Sequence, residues 1–264
     1  MVKIAIVGAC GRMGRRLGEL GFADDELKVV CALEDNSHPE MGKDYGLLLG
    51  GTDSGILVSS ELTSLPNVLI DFSTPESTAH WVDVCQGHDV NMVIGTTGLN
   101  QSIHEKMLAA SKDIAIVHAP NMSIGVNLLF RLAGQIAKSL GPDYDIEIIE
   151  AHHRYKKDAP SGTAMGLLKS ICEGTGVSPD QAAVYGRHGV GQARRQGEIG
   201  VHAIRLGDTV GEHVVYFGTP GETVSIAHSA HSRDTFASGA LRAAKWVAQK
   251  DAGLYSMQDV LFAD

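Results

Sequence analysis

No apolar stretch in this chain of 264 residues approaches the roughly 18 residues that a membrane-spanning helix needs. Paired cysteines are missing too. Cys10, Cys31, Cys85 and Cys172 are widely scattered with no CxxC spacing, which argues against a disulfide framework and against a structural zinc site. Positive charge is in deficit: the formal net charge is −9, whereas nucleic-acid binders carry a basic surface. The opening MVKIAIVGACG is too short and too glycine-interrupted for a signal peptide and reads as a first strand. There is no internal repeat. These absences leave an expectation of a cytoplasmic protein with neither a membrane nor a nucleic-acid partner. Its apolar content of 44% is that of an ordinary globular chain, long enough for one large domain or two modest ones.

What is present is an alternation of strand-like and helix-like segments through the first 120 residues. Val2–Val7 is a continuous apolar run ended by glycine, as expected of a strand covered on both faces. Lys28–Leu33, Asn67–Phe72, Asn91–Ile94 and Ile114–Val117 repeat the type, with helical spacing at Met13–Gly21, Glu76–Cys85 and Gln101–Ser111. This order predicts an α/β fold with a doubly wound parallel sheet. Met122–Leu140 then reads as one long helix stopped by Gly141-Pro142. Strands at Asp145–Ala151, Ile199–Leu206, His213–Phe217 and Thr223–His228 have little helix between them and suggest a second, α+β domain. Residues 173–198 are glycine-rich and polar, the best candidate for a long excursion or mobile loop. The last helix, Arg233–Gln249, is amphipathic, and periodicity alone does not say which domain it packs on.

Gly8-Ala9-Cys10-Gly11-Arg12-Met13-Gly14 follows the first strand and opens a helix. This GxxGxxG variant of the dinucleotide fingerprint lets the backbone turn tightly and approach a pyrophosphate at the positive end of a helix. Glu34 ends the second strand, where a carboxylate can accept hydrogen bonds from ribose hydroxyls. Asp35 beside it would repel a 2′-phosphate, so NADH is expected to be preferred, with NADPH still possible because Arg12 could offer a phosphate contact. Gly95-Thr96-Thr97-Gly98 and Ala119-Pro120-Asn121-Met122 end two further strands, and their equivalent positions suit the nicotinamide half of the cofactor.

The most informative segment is Glu150 to Ala164, EAHHRYKKDAPSGTA, with two histidines and three cations within six residues. Ser161 is a plausible N-cap, and free amides at Gly162 and Thr163 would make an anion site facing the cations. Together these describe a pocket for a carboxylate with acid–base groups beside it. No metal is expected, since His152 and His153 have no carboxylate, histidine or cysteine partner at a familiar ligand spacing.

VGACGRMG, DFSTPE, IGTTG, APNMSIGVN, EAHHRYKKDAPSGTA and GEHVVYF run nearly end to end through the chain, and with them it resembles the 4-hydroxy-tetrahydrodipicolinate (dihydrodipicolinate) reductase family. The resemblance implies NAD(P)H-dependent reduction of a cyclic imine dicarboxylate in lysine and diaminopimelate biosynthesis. Hydride would arrive at ring carbon C4, the 4-hydroxyl would leave as water, and a protein acid would protonate the neighbouring carbon. By position it implies His152 as the acid–base histidine and Lys156 as proton donor, with His153 and the Gly162-Thr163 backbone on the substrate carboxylates. Gly8, Ala9, Cys10, Gly11, Arg12, Met13, Glu34, Gly95, Thr96, Thr97, Ala119, Pro120, Asn121 and Met122 match cofactor contacts. It further implies a homotetramer assembled through the second domain's sheet. The last helix would return to a Rossmann-type dinucleotide-binding domain of residues 1–121 plus 233–264, leaving 122–232 for substrate binding and oligomerisation. Asp35 departs from the pattern, because some members carry a basic residue there.

Two other readings stay open on sequence. An aspartate-semialdehyde or homoserine type dehydrogenase shares the two-domain plan, but an aldehyde-oxidising enzyme needs a nucleophilic cysteine. Cys85 and Cys172 lie in helix-like segments, and Cys10 lies inside the phosphate turn. A nicotinamide-sensing regulator would not need His152 and Lys156 beside an anion pocket.

Overall fold

The computed structural model describes residues 1–263. The chain divides into two compact units, unit 1 from Met1–Ile124 with the segment from Arg233, and unit 2 from Gly125–Ser232. Unit 1 begins with β1 (Val2–Val7), α1 (Arg12–Phe22), β2 (Leu27–Leu33), α2 (Tyr45–Leu48) and β3 (Val58–Ser59). It continues with β4 (Val68–Asp71), α3 (Pro75–Gly87), β5 (Asn91–Ile94), α4 (Gln101–Ala110) and β6 (Ala115–His118). Helix α5 (Ile124–Leu140) starts at the unit boundary. Unit 2 goes on through β7 (Asp145–His152), α6 (Gly162–Thr175), α7 (Pro179–Ala182), β8 (Ala183–Val184), β9 (Ile199–Arg205), β10 (Gly211–Thr219) and β11 (Glu222–Ala230). The chain returns to unit 1 as α8 (Asp234–Val247), β12 (Gly253–Tyr255) and α9 (Met257–Phe262).

The unit 1 sheet is parallel throughout, in the order β12-β6-β5-β4-β1-β2-β3. After β3 the chain crosses back to the other side of β1, so the topology reverses between β1 and β4, and ligands of such sheets bind beyond the strand ends at that point. The doubly wound reading of the sequence is met. Ile4, Ala5, Ile6 and Val7 are buried because both faces are covered. Side chains of α1 and α8 join one core layer, and Trp81, Val82 and Cys85 of α3 with Met107 and Ala110 of α4 join the other. Each fully buried Ile or Val contributes about 1.5–3 kcal/mol. Thr74 caps α3 by accepting from the Ser77 amide, and Pro75 follows in the first turn.

Unit 2 is a mixed five-stranded sheet in the order β11-β10-β7-β9-β8. Strand β10 runs antiparallel to both β7 and β11, while β7, β9 and β8 are parallel. Leu129, Ala133 and Ala137 of α5 and Leu167, Leu168 and Ile171 of α6 pack against Ile146, Ile148, Val215 and Phe217. The excursion predicted over 173–198 is partly ordered: α6 runs on to Thr175, and α7 and β8 follow. Its remainder is tied down by ion pairs. Arg187 makes two hydrogen bonds to Glu147 at 3.0 and 2.8 Å, and Arg194 reaches Glu147 at 3.1 Å and Asp145 at 2.7 Å. Burial would raise the Glu147 carboxyl, yet Arg187, His202 and Arg194 hold it at about 2.

Several boundaries differ from the sequence reading. The helix expected from Met122 begins at Ile124, because Asn121 Oδ1 accepts from the Ser123 amide and turns the chain first. Helices α2 and α9 and strands β3 and β12 were not foreseen. Among the described residues no helix is long and apolar enough to cross a membrane.

Candidate active site

The turn between β1 and α1 is built on close backbone approach. Gly8 sits at φ +70°, and a Cβ there would meet the Phe72 carbonyl oxygen at 3.0 Å. A Cβ on Gly11 would stand 3.1 Å from the Gly8 carbonyl oxygen. No side chain caps α1, whose N-cap is Gly11, so its first-turn amides face outward as a bound phosphate requires. The Glu34 carboxylate holds this turn through the Cys10 amide at 3.0 Å, and Tyr45 braces it from behind by donating to the Gly14 carbonyl at 2.7 Å. These residues fit a dinucleotide.

Beside the turn opens a cleft of about 680 Å³ lined by Gly8, Glu34, Asp35, Ser73, Glu76 and His80, among others. Not every expected contact presents a side chain. Ala9 is fully buried in the core, as is Met122, so both could offer only backbone. Thr96 is 4% exposed, and its hydroxyl accepts from the Ser73 amide at 3.0 Å. Gly95 is needed for packing, since a Cβ would fall 2.4 Å from the Phe72 ring. Arg12, Thr97 and Pro120 are exposed, and Cys10, Met13 and Asn121 are half-buried.

Unit 2 gathers the other predicted residues at the end of β7. The strand stops at His152, and a turn closed by the Lys156 amide on the His153 carbonyl at 3.1 Å folds the chain back. Lys156 and His152 are thereby released from strand alternation, and the Lys156 charge acts on both the His152 and His213 rings. Lys156 Nζ lies 3.0 Å from Asp158. Ser161 caps α6, accepting from the Ala164 amide at 3.2 Å, which leaves Gly162 exposed at the helix's positive end with Thr163 behind it. His153 Nδ1 is buried without a hydrogen-bond partner. Burial draws the His152 imidazole below the ordinary histidine range, with Lys156 and Arg205 adding to that effect and Glu150 opposing it. His213 stands edge-on to His152 with ring centroids 5.2 Å apart, and burial brings it down to about 3.

Two profiles named for dihydrodipicolinate reductase match the chain, the N-terminus over residues 2–122 and the C-terminus over 125–261. The chain belongs to the dihydrodipicolinate reductase family. A 4-hydroxy-tetrahydrodipicolinate reductase from Rubrobacter xylanophilus is 46% identical over 261 residues, covering 99% of this chain and 98% of that protein. One from Syntrophus aciditrophicus is 42% identical over 264 residues, with 99% and 98% covered. Among solved structures, the dipicolinate-bound dihydrodipicolinate reductase from Paenisporosarcina sp. TG-14 superposes with a TM-score of 0.76 at 25% identity, covering 98% of each chain.

The cysteines of this dihydrodipicolinate reductase family member are poor candidates for a nucleophile. Burial pushes the Cys85 and Cys172 thiols up, and burial with Glu34 raises Cys10 to about 11. A metal-type grouping does occur within unit 1: ligand atoms of Cys10, Glu34 and His38 lie within 4.8 Å of one another. Cys10 of this group belongs to the dinucleotide turn, while Glu34 follows β2 and His38 lies in the loop after it. Sequence reasoning missed Tyr45, Arg205 and His213, and it gave no role to Glu150, whose carboxylate lies 2.6 Å from His152 Nδ1. For His213 a signal existed in the GEHVVYF motif; for Arg205 nothing local pointed to it.

Proposed function

We propose that this chain is a 4-hydroxy-tetrahydrodipicolinate reductase, with reduced pyridine nucleotide bound on unit 1 and the dicarboxylate substrate on unit 2. The observation that carries the reading is the cluster at the end of β7, where His152, His153 and Lys156 lie in one stretch with Gly162, exposed at the positive end of α6, close behind in the chain. A carboxylate is the ligand such a site favours: helix amides and dipole attract it, Lys156 neutralises it, and His153 Nδ1 is a buried polar atom in want of a partner.

Loss of water takes a proton from a ring carbon and delivers one to the leaving hydroxyl. Reduction then needs a proton at the carbon next to C4. The nicotinamide, when bound, supplies the hydride. His152, neutral near pH 7 because burial disfavours its charge, takes the proton from the ring carbon and returns it to the leaving hydroxyl, while the Lys156 ammonium gives the one needed at the carbon next to C4 and offsets negative charge on the substrate.

The cofactor assigned is NADH before NADPH. Glu34, Asp35 and Glu76 line the cleft beside the phosphate turn, and among the described residues no lysine or arginine belongs to its lining to receive a 2′-phosphate. A homotetramer through the unit 2 sheet belongs to the same reading. Strand β11 lies at the sheet edge and none of its residues is buried within one chain. A cytoplasmic location fits the four free thiols.

The test is oxidation of NADH by the purified protein in the presence of freshly generated 4-hydroxy-tetrahydrodipicolinate. Turnover that depends on this compound is expected. Turnover with an aspartate semialdehyde but not with this substrate would overturn the reading, and light scattering would separately give the mass of the assembly.

A further inference from the structure

We propose that Glu150 is a positioning residue for His152. Its carboxylate, clamped by Arg205 and the Ser161 amide, fixes the imidazole as the Nδ1–H tautomer and leaves Nε2 to exchange protons with substrate. The proposal rests on the reading of His152 as the proton-transfer group.

Glu150 and His152 are two residues apart on β7, so their side chains leave the same face of the strand. Glu150 has no exposed surface. All four of its acceptor positions are used. Oε2 lies 2.6 Å from His152 Nδ1 and 2.8 Å from Arg205 Nη1, while Oε1 accepts from the Ser161 amide at 3.0 Å and from Arg205 Nη2 at 2.9 Å. The arginine fork meets the carboxylate through two parallel bonds, a geometry that holds it in one orientation. Burial alone would raise the Glu150 carboxyl; the bonds from Arg205, His152 and Ser161 outweigh it and keep the group below the ordinary glutamate range.

An ionised carboxylate only accepts hydrogen bonds, so His152 Nδ1 must carry the hydrogen. A neutral imidazole has a single N–H, and the lone pair therefore falls on Nε2. The space beside that nitrogen is kept by Gly211 on β10, where a Cβ would lie 3.1 Å from Nε2. Arg205 has a second effect, because a buried carboxylate without its fork would draw the proton from the ring instead of orienting it. Arg205 also donates to the Asp158 carbonyl at 2.6 Å, which ties the Lys156 loop to the same clamp. The groups that set the charge preference of His152 are thus Glu150, which favours the imidazolium, and Lys156 and Arg205, which oppose it. His213 faces the ring from β10 as a neutral neighbour whose Nε2 is engaged by the Ser161 hydroxyl at 3.2 Å.

The experiment is ring-15N histidine NMR on the full-length protein beside steady-state kinetics, with the His152 signals assigned through His152→Gln. The wild type is expected to show a protonated Nδ1. In Glu150→Gln the tautomer preference is lost, the His152 pKa falls, the acid limb of kcat/KM moves to lower pH, and kcat drops about tenfold or more while KM moves less than about threefold. Glu150→Asp, which keeps the charge, recovers part of the loss. Unchanged ring signals and an unchanged pH profile in folded Glu150→Gln would overturn the proposal, even if the variant is less stable. Should that variant not fold, Arg205→Lys keeps the charge and removes the fork; shifted His152 signals support the clamp and unshifted ones refute it. Failure of the underlying reading looks different: His152→Ala would then turn over normally whatever the ring signals show.

Discussion

A Cβ on Gly14 would stand 2.1 Å from the Gly8 carbonyl oxygen, so helix α1 begins hard against the turn that precedes it. Neither partner can retreat easily: Gly8 backs onto the Phe72 carbonyl, and the Gly14 carbonyl is held by Tyr45. Gly14→Ala must therefore push the turn open. Dinucleotide affinity should fall at least about tenfold, with about 1–3 kcal/mol of lost stability from overpacking. Fluorescence titration with NADH and urea unfolding check the two effects separately; unchanged NADH affinity would mean that the turn does not cradle the pyrophosphate.

Carboxylates at the ribose end of the cleft give a prediction with a sign. The Asp35 side chain is held by the Ser37 amide at 2.9 Å, and the hydrogen bonds from Ser37 keep its carboxyl below the ordinary range, so it is charged wherever the enzyme would work. kcat/KM for NADH should exceed that for NADPH by about tenfold, roughly what one unfavourable charge contact is worth. Asp35→Arg should narrow or reverse the ratio. A wild-type preference for NADPH would show that Arg12 or another cation outside the cleft lining receives the phosphate.

Proton transfer at the end of β7 predicts paired losses. His152→Ala and Lys156→Ala should each lower kcat by about 10²-fold or more, the range expected of general acid–base groups. Lys156→Ala should raise KM as well, because the ammonium neutralises the substrate besides donating to it. Near-normal turnover in either folded variant would remove that residue from the mechanism.

Acid should weaken the fold through its buried histidines. Burial lowers His213 to about 3 and His118 to about 4, from 6.5, so both stay neutral in the folded chain while the unfolded chain takes up protons. Their contribution is present above about pH 6.5 and is lost as pH falls toward the folded values. For His213 the loss is about 2 kcal/mol between pH 6.5 and 5. Urea unfolding at fixed protein concentration should show this slope, and His213→Gln should flatten it. An equal slope in the variant would mean that His213 is solvated in solution.

Long apolar strands and chemically dense motifs were legible in the sequence, and single side-chain orientations were not. Strands β1 and β5 begin and end as read, because a continuous apolar run bounded by polar residues or glycine has one interpretation inside a parallel sheet. Strands β3 and β12 and helix α2 are two to four residues long, too short for any period to register. In the cofactor segments, adjacency in a motif could not separate Thr97, which is exposed, from Thr96, whose hydroxyl turns inward to the Ser73 amide. In the EAHHRYKK block the candidate histidines and lysine could be named from sequence, but the arginine that bonds Glu150 beside His152 could not. Arg205 reaches Glu150 from 55 residues away, and only the pairing of β7 with β9 brings it there.

That pairing logic extends to β10, where Gly211 faces Nε2 of His152. Its backbone is not in the left-handed region, so alanine adds no conformational strain, only a methyl group 3.1 Å from Nε2. The ring cannot swing away freely, because Nδ1 is bound to Glu150 and His213 closes the side. Gly211→Ala should therefore leave stability within about 1–2 kcal/mol of the wild type while lowering kcat/KM about tenfold, by crowding the nitrogen that meets substrate. Thermal unfolding and steady-state kinetics on one preparation separate the two effects. If catalysis is untouched in a stably folded Gly211→Ala, proton exchange does not run through Nε2, and the role given to His152 must pass to Lys156 alone.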